Sequence, residues 1–474
     1  MRKVLTLVVA ACGLAALRAG EWPQFRGPTA TGVAADATLP IEWGPDKNVA
    51  WKVEIPGAGW SSPIVWGDKV FVTTAVTEKQ TKPKAGYGPG GGGGGKGGGF
   101  PKGPPGDGKD GKDGKGGFPK GGFPKGGFGK GGSPKPPDAV YRWELMCLDR
   151  ANGKVLWKQL AAEKKPTIPT HSSNTFASET PVTDGERIYA YFGMTGLYCY
   201  DLAGKPLWHK DLGTYPMQNG WGTGSSPVLD GDRLFVQCDN EDKSFLVALD
   251  KKTGDELWRK PREEKSNWST PFVWRTKART EIVALGQTKV RSYDPATGAI
   301  LWEMGGLDAG SQSSPAATAE MIYFGVSGPM SSNPLYAVKA GASGDITLKE
   351  GETSNAGVAW VKTRAGLSNS SPLVYDGYVY TANQGLLNCY DAATGKPAYT
   401  KERLPQGRGF VASPFAAGGK LYFLDDNGRT FVVKAGPKFE LLGSSALDEM
   451  CWASPAVADG ALFVRGVDHL FCVK

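Results

Sequence analysis

Gly224-Ser225-Ser226-Pro227-Val228-Leu229-Asp230-Gly231-Asp232-Arg233-Leu234-Phe235-Val236 decides the fold of this chain. Two apolar runs flank an Asp-Gly turn, the pattern of a β-hairpin. Ala248-Leu249-Asp250-Lys251-Lys252-Thr253-Gly254-Asp255-Glu256-Leu257-Trp258 follows. It supplies a third strand with a small residue, a Gly turn and a fourth strand with Trp. The opening Ser/Thr-Pro step recurs with Pro at 63, 181, 227, 271, 315, 372, 414 and 455, at intervals of 118, 46, 44, 44, 57, 42 and 41 residues. A period in the low forties built of four short strands is that of a β-propeller blade. The sequence therefore predicts an all-β, eight-bladed propeller of four-stranded antiparallel blades.

The other parts of the unit recur in step. The small slot holds Cys147, Cys199, Ala248, Ser292, Ala337, Cys389, Val432 and Cys472. Small side chains suit a crowded position between stacked sheets. Asp149, Asp201, Asp250, Asp294 and Asp391 stand two residues on, where a carboxylate accepts N–H groups of the Gly turn. Trp157, Trp208, Trp258, Trp302 and Tyr399 follow, and burial of a Trp stabilises by roughly 2–3 kcal/mol or more. Repetition in blade after blade assigns these residues to architecture.

The last repeat stops at His469-Leu470-Phe471-Cys472-Val473-Lys474, its third strand. An orphan Trp strand, Asn48-Val49-Ala50-Trp51-Lys52-Val53-Glu54, stands at the front. The N-terminal strand is therefore expected to complete blade eight and close the ring, removing exposed sheet edges.

The 474 residues are 40% hydrophobic and 11% aromatic, enough for a large core. Residues 1–19 read as a secretory signal peptide: Arg2 and Lys3, an apolar run from Val4 to Leu17, then Ala19. The run is too short to span a bilayer as a helix, and no other segment could. Val9-Ala10-Ala11-Cys12 resembles a lipobox, so a lipid anchor on Cys12 is the alternative to simple export. Residues 20–47 form an N-terminal extended segment and 48–474 the propeller. The Cys residues in the repeat slot belong to different blades, too far apart to pair, and no Cys-x-x-Cys or zinc spacing exists.

Residues 79–138 interrupt blade one with Gly, Pro and Lys, including Gly-Gly-Phe-Pro-Lys at 116–120 and 121–125. Such a stretch buries too little apolar surface to order itself and is expected to be a disordered loop. Its twelve Lys against four Asp carry +8, equal to the formal net charge of the whole chain. Basicity thus belongs to the loop and not to the ring. The loop is either a cationic arm for anionic polymers or a drifted low-complexity expansion. Export argues against a nucleic-acid partner.

The pattern small-x-Asp-x-x-Thr-Gly-x-x-x-Trp, as in 248–258 and again in Ser292 to Trp302, resembles the pyrroloquinoline-quinone (PQQ) repeat. The resemblance covers Asn48 to Lys474 outside the insertion. It implies one of two branches: quinoprotein alcohol dehydrogenases holding PQQ and Ca²⁺, or non-catalytic propellers such as the assembly lipoprotein BamB. The opening Trp22-Pro23-Gln24-Phe25-Arg26-Gly27-Pro28 is similar to the start of exported Planctomycete-type propellers. The dehydrogenases carry a vicinal Cys-Cys pair, which this chain lacks. His171, His209 and His469, the only histidines, are widely separated and suit neither a histidine metal centre nor a triad.

Segments leading into the innermost strands converge on the axis, where propellers bind ligands. They carry Trp60, Phe176, Trp221, Trp268, Phe410 and Trp452, with Ser61, Asn174, Glu179, Asn219, Asn267, Gln312, Asn369 and Arg408 among them. The candidate ligand residues are Trp60, Phe176, Trp221, Asn267, Trp268, Gln312, Asn369, Arg408 and Trp452. The alternative is that these rings pack between blades. The expectation is an exported, monomeric scaffold without catalytic residues, cofactor or metal. Envelope proteins, or a peptide or glycan at the channel mouth, are its expected partners. The alternatives are a PQQ- and Ca²⁺-dependent dehydrogenase and a polysaccharide or cell-wall binder.

Overall fold

The computed structural model describes residues 20–83, 134–326, 333–365, 367 and 369–474. The signal segment with Cys12, and 84–133 of the insertion, lie outside the described residues. Eight sheets make the molecule. Blade one contains β3 (Ile64–Trp66), β4 (Lys69–Val76), β5 (Tyr141–Asp149) and β6 (Val155–Lys164), each antiparallel to the next. The six blades that follow repeat this meander. Blade four gains a parallel outer strand, Gly344–Asp345. Blade seven gains β1 (Val33–Ala34), parallel to Phe415–Ala417 at its inner edge.

Ring closure follows the sequence. Strand β2 (Val49–Glu54) pairs antiparallel with His469–Val473, placing Trp51 opposite Cys472. Blade eight is thus three C-terminal strands and one N-terminal strand.

All eight small-slot residues are fully buried. The repeated Trp side chains reach from each blade onto the Gly turn of the next. Trp157 lies over Gly204, Trp208 over Gly254, Trp258 over Gly298 and Trp51 over Gly153. The Trp157 indole N–H donates to Leu202 O (3.3 Å) and that of Trp51 to Arg150 O (2.9 Å). At Gly204 the requirement for glycine is twofold: φ is +88° and an added Cβ would sit 2.8 Å from the Trp157 ring. Asp250 Oδ1 accepts from the N–H groups of Lys252 (2.7 Å) and Thr253 (3.0 Å), the turn role predicted for it. Trp302 departs from the pattern and donates to Glu281 Oε2 (2.7 Å) inside its own blade. The six described cysteines are free thiols. No helix among the described residues is long and apolar enough to cross a membrane.

Candidate functional site at the channel mouth

The Ser/Thr-Pro steps meet at the axis, where their hydroxyls tie blade to blade. Ser62 N–H donates to Thr180 Oγ1 (2.9 Å), Thr180 N–H to Ser226 Oγ (2.9 Å), and Ser226 N–H to Thr270 Oγ1 (3.0 Å). Thr270 N–H donates to Ser314 Oγ (3.0 Å), Ser314 N–H to Ser371 Oγ (3.0 Å), Ser371 N–H to Ser413 Oγ (3.3 Å), and Ser413 N–H to Ser454 Oγ (2.8 Å). These bonds join seven of the eight successive blade pairs. The following Pro holds each Ser/Thr extended, which fixes its N–H and hydroxyl in register for the neighbour. Each bond stabilises by about 1 kcal/mol net.

The eighth junction, where blade eight meets blade one, has a latch of its own. The Arg465 guanidinium, 2% exposed, donates from Nη1 to Ser61 Oγ (2.6 Å) and Thr73 O (2.6 Å). Trp60 and Trp452 stack across the same seam with centroids 5.6 Å apart. Arg150 pairs with Asp459 farther out.

Residues 20–47 cross the opposite end of the channel as a strap. Trp22 exchanges backbone hydrogen bonds with Val65 of blade one, and Pro23 O accepts from Thr183 N–H of blade two. Arg26 then reaches blades five and six, donating to Pro315 O and Pro372 O, both at 2.7 Å. Burial without a carboxylate lowers the Arg26 pKa to about 9. Strand β1 continues onto blade seven, and Trp43 N–H donates to Ser445 Oγ (2.9 Å) on its outer strand. Phe25, between the anchors, points into the channel and helps line it.

Together the strap, the hydroxyl ring and the aromatic mouth enclose a cavity of about 170 Å³. Six of the predicted residues line it: Trp60, Trp221, Trp268, Gln312, Asn369 and Trp452. Trp221 and Trp268 form a second aromatic pair, 5.6 Å between centroids. Three predicted residues lie elsewhere. Phe176 packs edge-on against Tyr141 (5.0 Å) and Trp143 (6.1 Å), beside a neighbouring cavity. Asn267 turns into a small void between blades, where its side-chain oxygen accepts from Ser269 N–H (2.8 Å). Arg408 is exposed and does not line the cavity. Of the residues named with them, Asn174 lines the pocket, and Glu179 is buried in the wall behind it.

Phe25, His171 and the hydroxyl ring are lining residues that the repeat pattern did not single out. The constant Ser/Thr before each Pro was the available signal for the ring. Two of the indoles are locked: Trp60 Nε1–H donates to Ser173 O (2.9 Å) and Trp268 Nε1–H to Gly222 O (2.7 Å). His171 Nδ1 lies 2.7 Å from Ser173 Oγ, and partial burial lowers its pKa.

Among the described residues, the lining contains no Asp, Glu, Lys or Arg. PQQ is a flat tricarboxylate and Ca²⁺ takes six to eight oxygen ligands, several of them carboxylate. Neither finds its complement in this wall. Among the described residues no group of three His, Cys, Asp or Glu is placed to hold a metal ion.

A family model described as outer membrane protein assembly factor BamB matches residues 142–323 and 288–438, together more than half of the chain. A tetrathionate hydrolase of Acidithiobacillus ferrooxidans is 23% identical over 295 residues, covering 59% of this chain and 53% of that protein. The chain thus spans about half the length of that curated relative. BamB from Moraxella catarrhalis superposes with a TM-score of 0.50 at 13% identity, over 70% of this chain and 88% of that one. The quinohemoprotein alcohol dehydrogenase of Comamonas testosteroni gives 0.56 at 12% identity, over 96% and 80%. A europium-containing methanol dehydrogenase gives 0.53 at 11% identity, over 94% and 89%. At these identities the likeness is one of fold. With eight four-stranded blades in place and the family's own model matched over most of the ring, the chain belongs to the PQQ-repeat β-propeller family.

Proposed function

We propose that this protein is an exported, non-catalytic propeller, a binding scaffold of the cell envelope whose ligand or partner engages the channel mouth. In this reading residues 1–19 direct export, 20–47 are the strap, and 79–138 are a surface loop. The observation that carries it is the uncharged lining of the central cavity. An alcohol oxidation needs a base at the carbinol and a bound oxidant. Among the described residues, those that line the cavity offer no carboxylate for the first and no Lys or Arg to hold a tricarboxylate quinone for the second. Eight of its residues (Phe25, Trp60, Trp221, Trp268, Trp452, Asn174, Gln312 and Asn369) are aromatic rings or amides of the kind that recognise by contact and hydrogen bonding. The family model, named for an outer membrane assembly factor, supports an envelope setting with protein partners.

The test mixes purified protein with PQQ and Ca²⁺, desalts it, and records quinone absorbance and alcohol-dependent dye reduction. The expected result is no retained quinone and no dye reduction. Retention together with dye reduction would replace the scaffold by a dehydrogenase.

A further inference from the structure

The central cavity does not stand alone. His171 and Asn174 line it and also line a second cavity of about 220 Å³ beside it. The second cavity is walled by both ends of the blade-one insertion, Gln80, Thr81 and Pro83 on one side and Lys135 and Pro137 on the other. Tyr141 and Phe176 give it an aromatic floor. Gln80 Oε1 is buried there without a hydrogen-bond partner among the described residues. The insertion thus begins and ends at the mouth of the channel, where its base extends the pocket.

The chemistry of the first cavity narrows what enters. Trp60 and Trp268 have their indole N–H groups bonded to backbone, so they offer rigid C–H and π surface. The side-chain amides of Gln312 and Asn369 are half-buried, face the same space, and have no partner among the described residues. An amide gives and accepts hydrogen bonds at once, as a hydroxyl does. Among the described residues, the lining carries no formal charge other than what a protonated His171 would add. A ligand matched to fixed indoles, free amides and no ion has an apolar ring face, several hydroxyls and no charge. The cavity is smaller than the 300–1,000 Å³ usual for drug-sized ligands, so it takes one ring at a time.

Resting on the scaffold reading above, we infer that the channel mouth binds the end of a neutral oligosaccharide. One sugar ring sits in the Trp-lined cavity and the next in the cavity under the insertion base.

The experiment screens the full chain, without its signal segment, on an array of neutral and acidic oligosaccharides and short peptides. Calorimetry then follows with the best glycan and with its terminal monosaccharide. The proposal expects retention of neutral glycans and tighter binding of the disaccharide than of the monosaccharide. Gln312→Ala with Asn369→Ala should weaken both about tenfold, the loss of one to two hydrogen bonds. Those two side chains make no hydrogen bond among the described residues, so the melting temperature should not move. Gln80→Ala with Thr81→Ala should lower disaccharide affinity only. Absence of glycan retention, preference for acidic glycans or peptides, or affinity unchanged by the amide substitutions overturns the proposal. Any of these leaves the scaffold reading standing, whereas quinone retention with dye reduction removes that reading and the glycan site with it.

Discussion

Replacing Glu179 with Gln should make the protein more stable at pH 8 and leave it nearly unchanged at pH 4. Glu179 sits immediately before Thr180 of the hydroxyl ring, a slot filled by Ser or Ala in the other seven blades. It is 1% exposed, and its Oε1 has no partner among the described residues. Burial raises its pKa from the usual 4.5 to about 7, opposed by hydrogen bonds from Thr223 and from backbone N–H groups. The folded carboxyl therefore holds its proton more tightly than the unfolded one. Its contribution is fully present below about pH 4.5 and is lost as pH rises through 7. That shift corresponds to about 3 kcal/mol between the two ends of the window. Gln has the same shape and never ionises. The stability difference between variant and parent should thus grow by about 3 kcal/mol in the variant's favour from pH 4 to pH 8. Urea unfolding followed by Trp fluorescence at half-unit pH steps measures it, with exposed Glu186→Gln as the control. A difference that is flat with pH, or grows in the opposite direction, refutes the burial argument.

Other expectations concern the ring and its strap. Arg465→Met should cost about 2–4 kcal/mol in the same unfolding assay, because Ser61 Oγ and Thr73 O lose their shared donor at the closing seam. Ser226→Ala removes the acceptor for Thr180 N–H and should cost about 1–2 kcal/mol; an equal loss from Glu186→Gln would remove the ring's special role. Gly204→Ala should destabilise by about 2 kcal/mol or more through the Trp157 clash and positive φ, and a shift of the Trp emission would accompany it. Arg26→Ala should leave Pro315 O and Pro372 O without a donor. It should speed proteolysis within 20–47 before any global unfolding, as limited digestion would reveal.

Blade number, strand order and the closing pair were legible because they rest on periodicity. Pro63 to Pro455 set the repeat, and a missing Trp strand at one end matched a spare one at the other. The candidate site was less legible. Trp60, Trp221, Trp268 and Trp452 could be placed at the mouth because they precede inner strands. Phe176 and Asn267 precede inner strands too, yet the loop backbone turns one toward Tyr141 and the other between blades. Irregular loops have no period of two or 3.6 to fix side-chain direction. The Ser/Thr-Pro step was visible as a marker, but its work is done across blades, between residues 41 to 118 positions apart. Arg26 acts over 289 and 346 positions, a distance at which no local pattern speaks.

The pairing of β2 with His469–Val473 sets the order in which this molecule can be finished. Ribosomes deliver a chain in order, yet here Val49–Glu54 has no partner until residues 469–473 arrive. Through synthesis it must wait as an unsatisfied edge, and so must the strap that reaches Ala416. A product cut short before His469 would lack the partner of β2 altogether. It would present open edges at both of its ends, the feature by which proteases and chaperones recognise incomplete proteins.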